Sequence, residues 1–218
     1  MRKFFFLLVS TVCFALTASA QKSVTEYFNE GIQKYRNAEY KAAIQSFNKV
    51  LELNPKFIEA YGNMGNAKFR MGDYKGAKSD YDIVLESNPN DALTFYNRAT
   101  TRKELGDVKG SIDDNNAAIK INPKFAEAYF NRGNSYAELG DEKAAMKDYN
   151  KAIALTPQFA KAYYNRGHLR YKGGDVEAAA LDWERAASLD FYKAFDSLKE
   201  YCGIGTQETN CDPTVGLK

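Results

Sequence analysis

An all-α solenoid is the fold this sequence predicts, and three observations carry the prediction. The first is a strict period. The stretch Ala126–Phe159 falls in register on Ala160–Lys193 after a shift of 34 residues, and on Ala92–Phe125 after the opposite shift. Two further shifts give Ile58–Asp91 and Val24–Phe57, so five copies run end to end without an insertion. A period of this length marks a stack of identical supersecondary units. The second observation is that each copy holds two amphipathic patterns with apolar residues three and four apart, the spacing of one helical face. The third is punctuation at two fixed places, each kept in four of the five copies.

With each copy numbered 1 to 34, position 4 is Tyr27, Tyr61, Phe95, Tyr129 and Tyr163, and position 24 is Phe47, Tyr81, Asn115, Tyr149 and Trp183. Position 8 is small (Gly31, Gly65, Ala99, Gly133, Gly167), and so is position 20 (Ala43, Ala77, Ser111, Ala145, Ala179). Small residues at both places let the two helix backbones approach closely. Between the helices stand Gly72-Asp73, Gly106-Asp107, Gly140-Asp141 and Gly174-Asp175. Gly tolerates the left-handed conformation that ends a helix, and Asp caps the next one. In the first copy Ala38-Glu39 replaces this pair, which predicts a looser turn. Pro55, Pro89, Pro123 and Pro157 at position 32 end the second helix, since Pro disfavours helix in the residue before it; Phe191 breaks that rule in the fifth copy.

This pattern resembles the tetratricopeptide repeat (TPR) family over Val24–Lys193. The resemblance implies a right-handed superhelix of antiparallel helix pairs, a TPR solenoid whose members mostly bind other proteins.

The chain divides into three regions. Residues 1–20 read as a Sec signal peptide, with basic Arg2 and Lys3, an apolar run from Phe4 to Leu16 and Ala18-Ser19-Ala20 before a cleavage site. The apolar run is short for a bilayer span, which needs about 20 residues, and cleavage after Ala20 predicts an exported protein, periplasmic or secreted, with no transmembrane span in the mature chain. Residues 21–201 form the repeat domain, closed by a capping helix over 194–201 whose apolar face is Ala194, Phe195, Leu198 and Tyr201. Residues 202–218 read as an irregular tail. Cys202 and Cys211 survive cleavage, and an oxidising compartment makes them a disulfide candidate, free thiols being the alternative.

Charge excludes one class of partner. Of 30 basic residues cleavage removes two, and it removes none of the 28 acidic ones, so the mature chain carries 28 of each. Nucleic-acid binding needs a concentrated basic field, and none is present in the sequence. Chemistry is equally sparse. His168 is the one histidine, no cluster of metal-ligand spacing appears, and no phosphate loop or catalytic triad stands out. The sequence predicts no cofactor, no metal and no enzyme.

The candidate site is the groove. Position 6 is Asn29, Asn63, Asn97, Asn131 and Asn165, a ladder of amides that could pair with an extended peptide or bond between neighbouring helices. Position 5 is Phe28, Gly62, Tyr96, Phe130 and Tyr164, and position 12 adds Tyr35, Phe69 and Tyr171. The resemblance places these aromatics and His168 on the concave face, with the tyrosines partly exposed and the phenylalanines more buried. Family members that clamp the carboxylate tails of chaperones use a set of two Lys, two Asn and one Arg, but Tyr96, Thr100 and Asn165 stand at three of its five places here, so such tails are not predicted. Arg98, Arg132 and Arg166 at position 7 and Asp80, Asp114, Asp148 and Asp182 at position 23 read as structural ion pairs. The function predicted is a non-enzymatic scaffold that binds a polypeptide in the groove. A self-assembling structural protein and an accessory subunit that binds cell-wall glycan are the alternatives.

Overall fold

The structure, a computed structural model, describes residues 22–202. The expected signal peptide lies outside those residues, and so does Cys211 of the expected Cys202–Cys211 disulfide. The described chain forms eleven helices: α1 (Val24–Arg36), α2 (Tyr40–Leu53), α3 (Ile58–Arg70), α4 (Tyr74–Ser87), α5 (Ala92–Glu104), α6 (Val108–Ile121), α7 (Ala126–Glu138), α8 (Glu142–Leu155), α9 (Ala160–Lys172), α10 (Val176–Ala187) and α11 (Lys193–Cys202). Each odd helix packs on the even helix that follows, and each even helix on the next odd one. The odd helices also touch one another along the row, α1 on α3, α3 on α5 and α5 on α7, so they line the inside of the curve.

Close packing inside each unit follows from positions 8 and 24. A Cβ on Gly31, Gly65, Gly133 or Gly167 would come within 2.5–2.8 Å of the Phe47, Tyr81, Tyr149 or Trp183 ring. Only glycine fits under those rings. In repeat 3 the ring is absent and the glycine is absent too: Ala99 faces the fully buried Asn115. The polar core of that repeat is bonded, as Asn115 donates to the Ser111 carbonyl at 2.9 Å and the Ser111 and Ser135 hydroxyls meet at 3.2 Å. The Asn115 side-chain oxygen has no partner.

The turns inside the units are built alike. Gly72, Gly106, Gly140 and Gly174 have φ of 80–84°, and the N–H groups of each glycine and its following Asp bond back into the helix just ended, as in Gly72 to Phe69 and Asp73 to Lys68. This is the 6→1, 5→2 pairing of a Schellman end. The first turn is not looser, contrary to expectation. Ala38 takes φ 61° and makes the same two bonds, Ala38 to Tyr35 and Glu39 to Lys34. Packing of α1 on α2 imposes the turn, so the cost falls on backbone strain rather than on geometry. What is lost is the cap: Asp73, Asp107, Asp141 and Asp175 each accept from a backbone N–H in the next helix, whereas Glu39 makes no side-chain cap bond.

Repeat 5 ends differently because it is two residues short. Helix α10 has 12 residues where the other even helices have 14. It is capped by Ser188 and followed by Asp190 at φ 61°, in place of the extended residue before proline that caps the others. The slip moves Phe191 from the proline position to the place of Phe57, Phe125 and Phe159 in front of an odd helix, which explains its departure from the pattern. Helix α11 is then the first helix of a sixth unit, running 193–202 rather than 194–201. Its buried face is Ala194, Ser197 and Leu198. Phe195, expected on that face, is 46% exposed and lies beside Tyr192, while Ser197, expected outside, is buried. Residues 194, 197, 198 and 201 form the inward stripe, and 195 stands a quarter turn off it.

Candidate functional site: the inner wall

The asparagines of position 6 are stitched into a seam. Asn97, Asn131 and Asn165 donate to position 9 of the preceding repeat: Asn66 Oδ1 at 3.3 Å, Thr100 Oγ1 at 2.9 Å and Asn134 Oδ1 at 2.7 Å. The Asn66 and Asn134 oxygens also accept from the Tyr81 and Tyr149 hydroxyls at 2.7 and 2.8 Å. These bonds join an odd helix, the odd helix before it and the even helix beneath. Asn63 cannot join the seam because Ile32 stands at position 9 of repeat 1; it donates to its own Glu59 carbonyl at 2.8 Å instead. Asn29, with no preceding repeat, is exposed. Sequence reasoning missed Asn66, Thr100 and Asn134, although polar residues recurring 34 apart were the signal.

The position-5 rings are spent on packing between repeats. Phe28 meets Phe57 at a centroid distance of 5.0 Å, Tyr96 meets Phe125 at 5.0 Å, Phe130 meets Phe159 at 4.8 Å and Tyr164 meets Phe191 at 4.9 Å. All four are half-buried, so the expected division between exposed tyrosines and buried phenylalanines does not occur. One packing geometry serves both residue types. Burial pushes the Tyr96 hydroxyl above its ordinary range.

Arginine holds the same seam on its outer side. Arg98, Arg132 and Arg166 each present two nitrogens to one aspartate, Asp114, Asp148 or Asp182, at 2.6–2.9 Å. The third nitrogen reaches back to the previous repeat, to Asp82, Asn116 or Asn150 at 2.6–2.7 Å. The aspartate side chains are only 4% exposed, and a buried carboxylate is tolerated where a planar fork satisfies both oxygens. Repeat 2 has Met64 at the arginine position; Asp80 pairs with Lys68 at 2.7 Å, and burial raises its carboxyl above the usual range.

At the C-terminal end His168 sits in an aromatic cage. Its ring lies 4.5 Å from Tyr164, 5.1 Å from Trp183 and 6.2 Å from Tyr201, and its Nε2 is 3.5 Å from the Ser197 hydroxyl. Tyr171 packs on Trp183 and Tyr201. Burial pushes the imidazole below its ordinary value, with the Glu200 carboxylate opposing.

Three depressions open along the inner wall between odd helices. The first, about 590 Å³, brings together Gly62, Asn63, Asn66 and Asn97 over a floor of Tyr81 and Val84. The second, about 210 Å³, is lined by Tyr35, Phe69, Tyr96, Asn97 and Arg70. The third, about 450 Å³, holds Lys103, Glu138, Asn165 and His168. Among the described residues no group of three or more His, Cys, Asp or Glu could hold a metal, and no helix is long and apolar enough to cross a membrane.

The family models described as TPR repeat and tetratricopeptide repeat match residues 31–72, 101–140 and 133–174, and residues 58–91. This chain belongs to the tetratricopeptide repeat family. Its TPR units share their fold with solved structures of low identity. MamA from Desulfovibrio magneticus RS-1 is 23% identical at a TM-score of 0.69, over 78% of this chain and 96% of that one. YrrB, titled a TPR protein with an unusual peptide-binding site, is 24% identical at 0.65, over 81% and 92%. TTC0263, a thermophilic TPR protein in Thermus thermophilus, is 20% identical at 0.65, over 80% and 98%. No curated protein matches the chain.

Proposed function

We propose that this TPR protein is a non-enzymatic scaffold that holds a polypeptide against its inner wall. The observation that carries the reading is the row of three depressions on that wall, each offering amide or charged side chains beside apolar ones. Regularly spaced donors and acceptors suit an extended backbone, and the apolar floors suit its side chains. Membership in the TPR family supports the same reading, as does the likeness to YrrB with its peptide-binding site. Such a groove gives roughly micromolar affinity, about −8 kcal/mol. The basic start and small-residue cleavage site of residues 1–20 support export to a periplasmic or secreted location.

The test compares two charge reversals of equal size. Arg70→Glu with Lys103→Glu changes the rims of the second and third depressions, and Lys143→Glu with Lys147→Glu changes exposed positions on the outer helix α8. Partner capture from an envelope extract is expected to fail with the inner pair and persist with the outer pair. The reverse result moves the site to the convex face.

A second reading, self-association through the cap, is favoured by Tyr192 and Phe195, 73% and 46% exposed side by side at the start of α11. Sedimentation of the exported chain over a range of concentrations decides it: a monomer throughout removes this reading.

A further inference from the structure

Four of the five junctions between repeats are sealed by an aromatic pair, and the junction between repeats 2 and 3 is not. Where the others carry Phe28/Phe57, Tyr96/Phe125, Phe130/Phe159 and Tyr164/Phe191, this one carries Gly62 and Asp91. The volume those rings occupy elsewhere is here the largest of the three depressions, about 590 Å³.

The floor that holds Phe28 at the junction of repeats 1 and 2 is kept here. Tyr81 and Val84, 2% and 6% exposed, form the floor, as Phe47 and Val50 do beneath Phe28. Gly62 is not forced by crowding. A Cβ there would meet only a Val84 methyl at 3.7 Å, ordinary contact distance, whereas the glycines of position 8 are pinned under rings. A glycine inside a helix is unfavourable relative to alanine, so the open space is retained against local helix stability. The rim differs as well. Position 2 is Thr25, Glu59, Glu127 and Lys161 in the other repeats but Leu93 here, 59% exposed beside the opening. Asp91 caps α5 through bonds from the Leu93 and Thr94 N–H groups at 3.0 and 3.2 Å, which keeps its carboxylate at the edge and out of the cavity floor.

We propose that the Gly62 cavity is a side-chain pocket that takes a phenylalanine or tyrosine of the bound polypeptide, which replaces the ring missing from this junction. The proposal rests on the groove reading above and names its specificity. The junction of repeats 1 and 2 is the template for the occupant: a floor of the same kind, Phe47 and Val50, already holds the Phe28 ring there. Leu93 flanks the entering ring, and the amides of Asn63 and Asn97, together with Asn88, face the adjoining backbone.

The probe is N-acetyl-phenylalanine amide, with N-acetyl-alanine amide as control, titrated into the isotope-labelled chain. Saturable shifts are expected at Gly62, Val84 and Leu93 with the phenylalanine amide and not with the alanine amide. Gly62→Phe, which restores the ring, is expected to keep the helical circular dichroism of the parent and to weaken probe binding at least tenfold; Gly62→Ala, with its small side chain, is expected to retain it. Shifts centred elsewhere, or equal binding by Gly62→Phe, overturn the proposal. Should Gly62→Phe not fold, the Gly62→Ala titration and the map of shifted residues still decide it. If Gly62→Phe captures the cellular partner undiminished while Arg70→Glu with Lys103→Glu does not, the groove stands and the pocket falls; if neither variant loses the partner, both fall.

Discussion

At the scale of residues, positions 8 and 24 behave as one unit. Glycine is present wherever an aromatic ring presses on it, and alanine appears at Ala99, where Asn115 leaves room. Restoring the ring in repeat 3 therefore needs both changes. Asn115→Phe alone drives a ring into the Ala99 methyl and is expected to destabilise by about 1–3 kcal/mol through overpacking. With Ala99→Gly it should recover most of that loss and also remove the orphaned Asn115 oxygen. A double-mutant cycle by urea denaturation measures the coupling, expected at about 1–2 kcal/mol. His168 offers a second test. Its pKa is depressed in the folded state, mainly by burial, so the unfolded chain takes up the proton first. The stability it contributes is complete above its ordinary value of 6.5 and is lost as pH falls below it. The groups facing it are Tyr164, Trp183, Ser197, Tyr201 and Glu200. His168→Asn places there the residue found at Asn66 and Asn134. Wild-type Tm is expected to drop more than the variant's between about pH 7.5 and about pH 5.5. Trp183, the one tryptophan, reports the transition from within the cluster.

At the scale of elements, the turns tell how much local sequence decides. The Gly-Asp turns are legible because left-handed φ and an N-cap both have residue preferences. The Ala38 turn shows the limit: tertiary packing imposes the same φ on a residue that disfavours it. Ala38→Gly with Glu39→Asp should add both missing features, stabilising repeat 1 by about 1–2 kcal/mol. Amide hydrogen exchange in α1 and α2, slowed relative to wild type with α7 and α8 unchanged, is the expected result. The end of repeat 5 was illegible for another reason. A fixed 34-residue frame carries Phe191 onto a proline position, and only the structure reveals that two residues are missing from α10. Phe195 departs from expectation for a simpler reason: one short helix offers two overlapping apolar stripes, and the inward one runs through Ser197.

At the scale of the whole molecule, the solenoid was readable because its five units repeat one packing solution, and a period needs no long-range information. The inner wall was half readable. Side chains at positions 5 and 6 were correctly singled out as recurring, but recurrence alone does not separate a residue that bonds its neighbour from one that waits for a ligand. Asn97, Asn131 and Asn165 are bonded to position 9; the exception, Gly62, mattered more than the rule and carries no side chain to attract notice. Deviation from the repeat, rather than the repeat itself, is where a solenoid stores individuality.

The polar links between units are unevenly shared. Arginine forks and amide bonds tie repeats 2 to 5 together, while the junction of repeats 1 and 2 has Ile32 at position 9, Met64 at position 7 and no such link. Pulled by its two ends, the molecule would therefore behave less like a uniform spring than like a zipper with one free tab. The first unit peels away against greasy contacts and the Arg70 guanidinium over the Tyr40 ring, and releases roughly 110 Å of chain at about 3.3 Å per residue. The remaining units hold their shape until the load climbs high enough to break the ionic clasps.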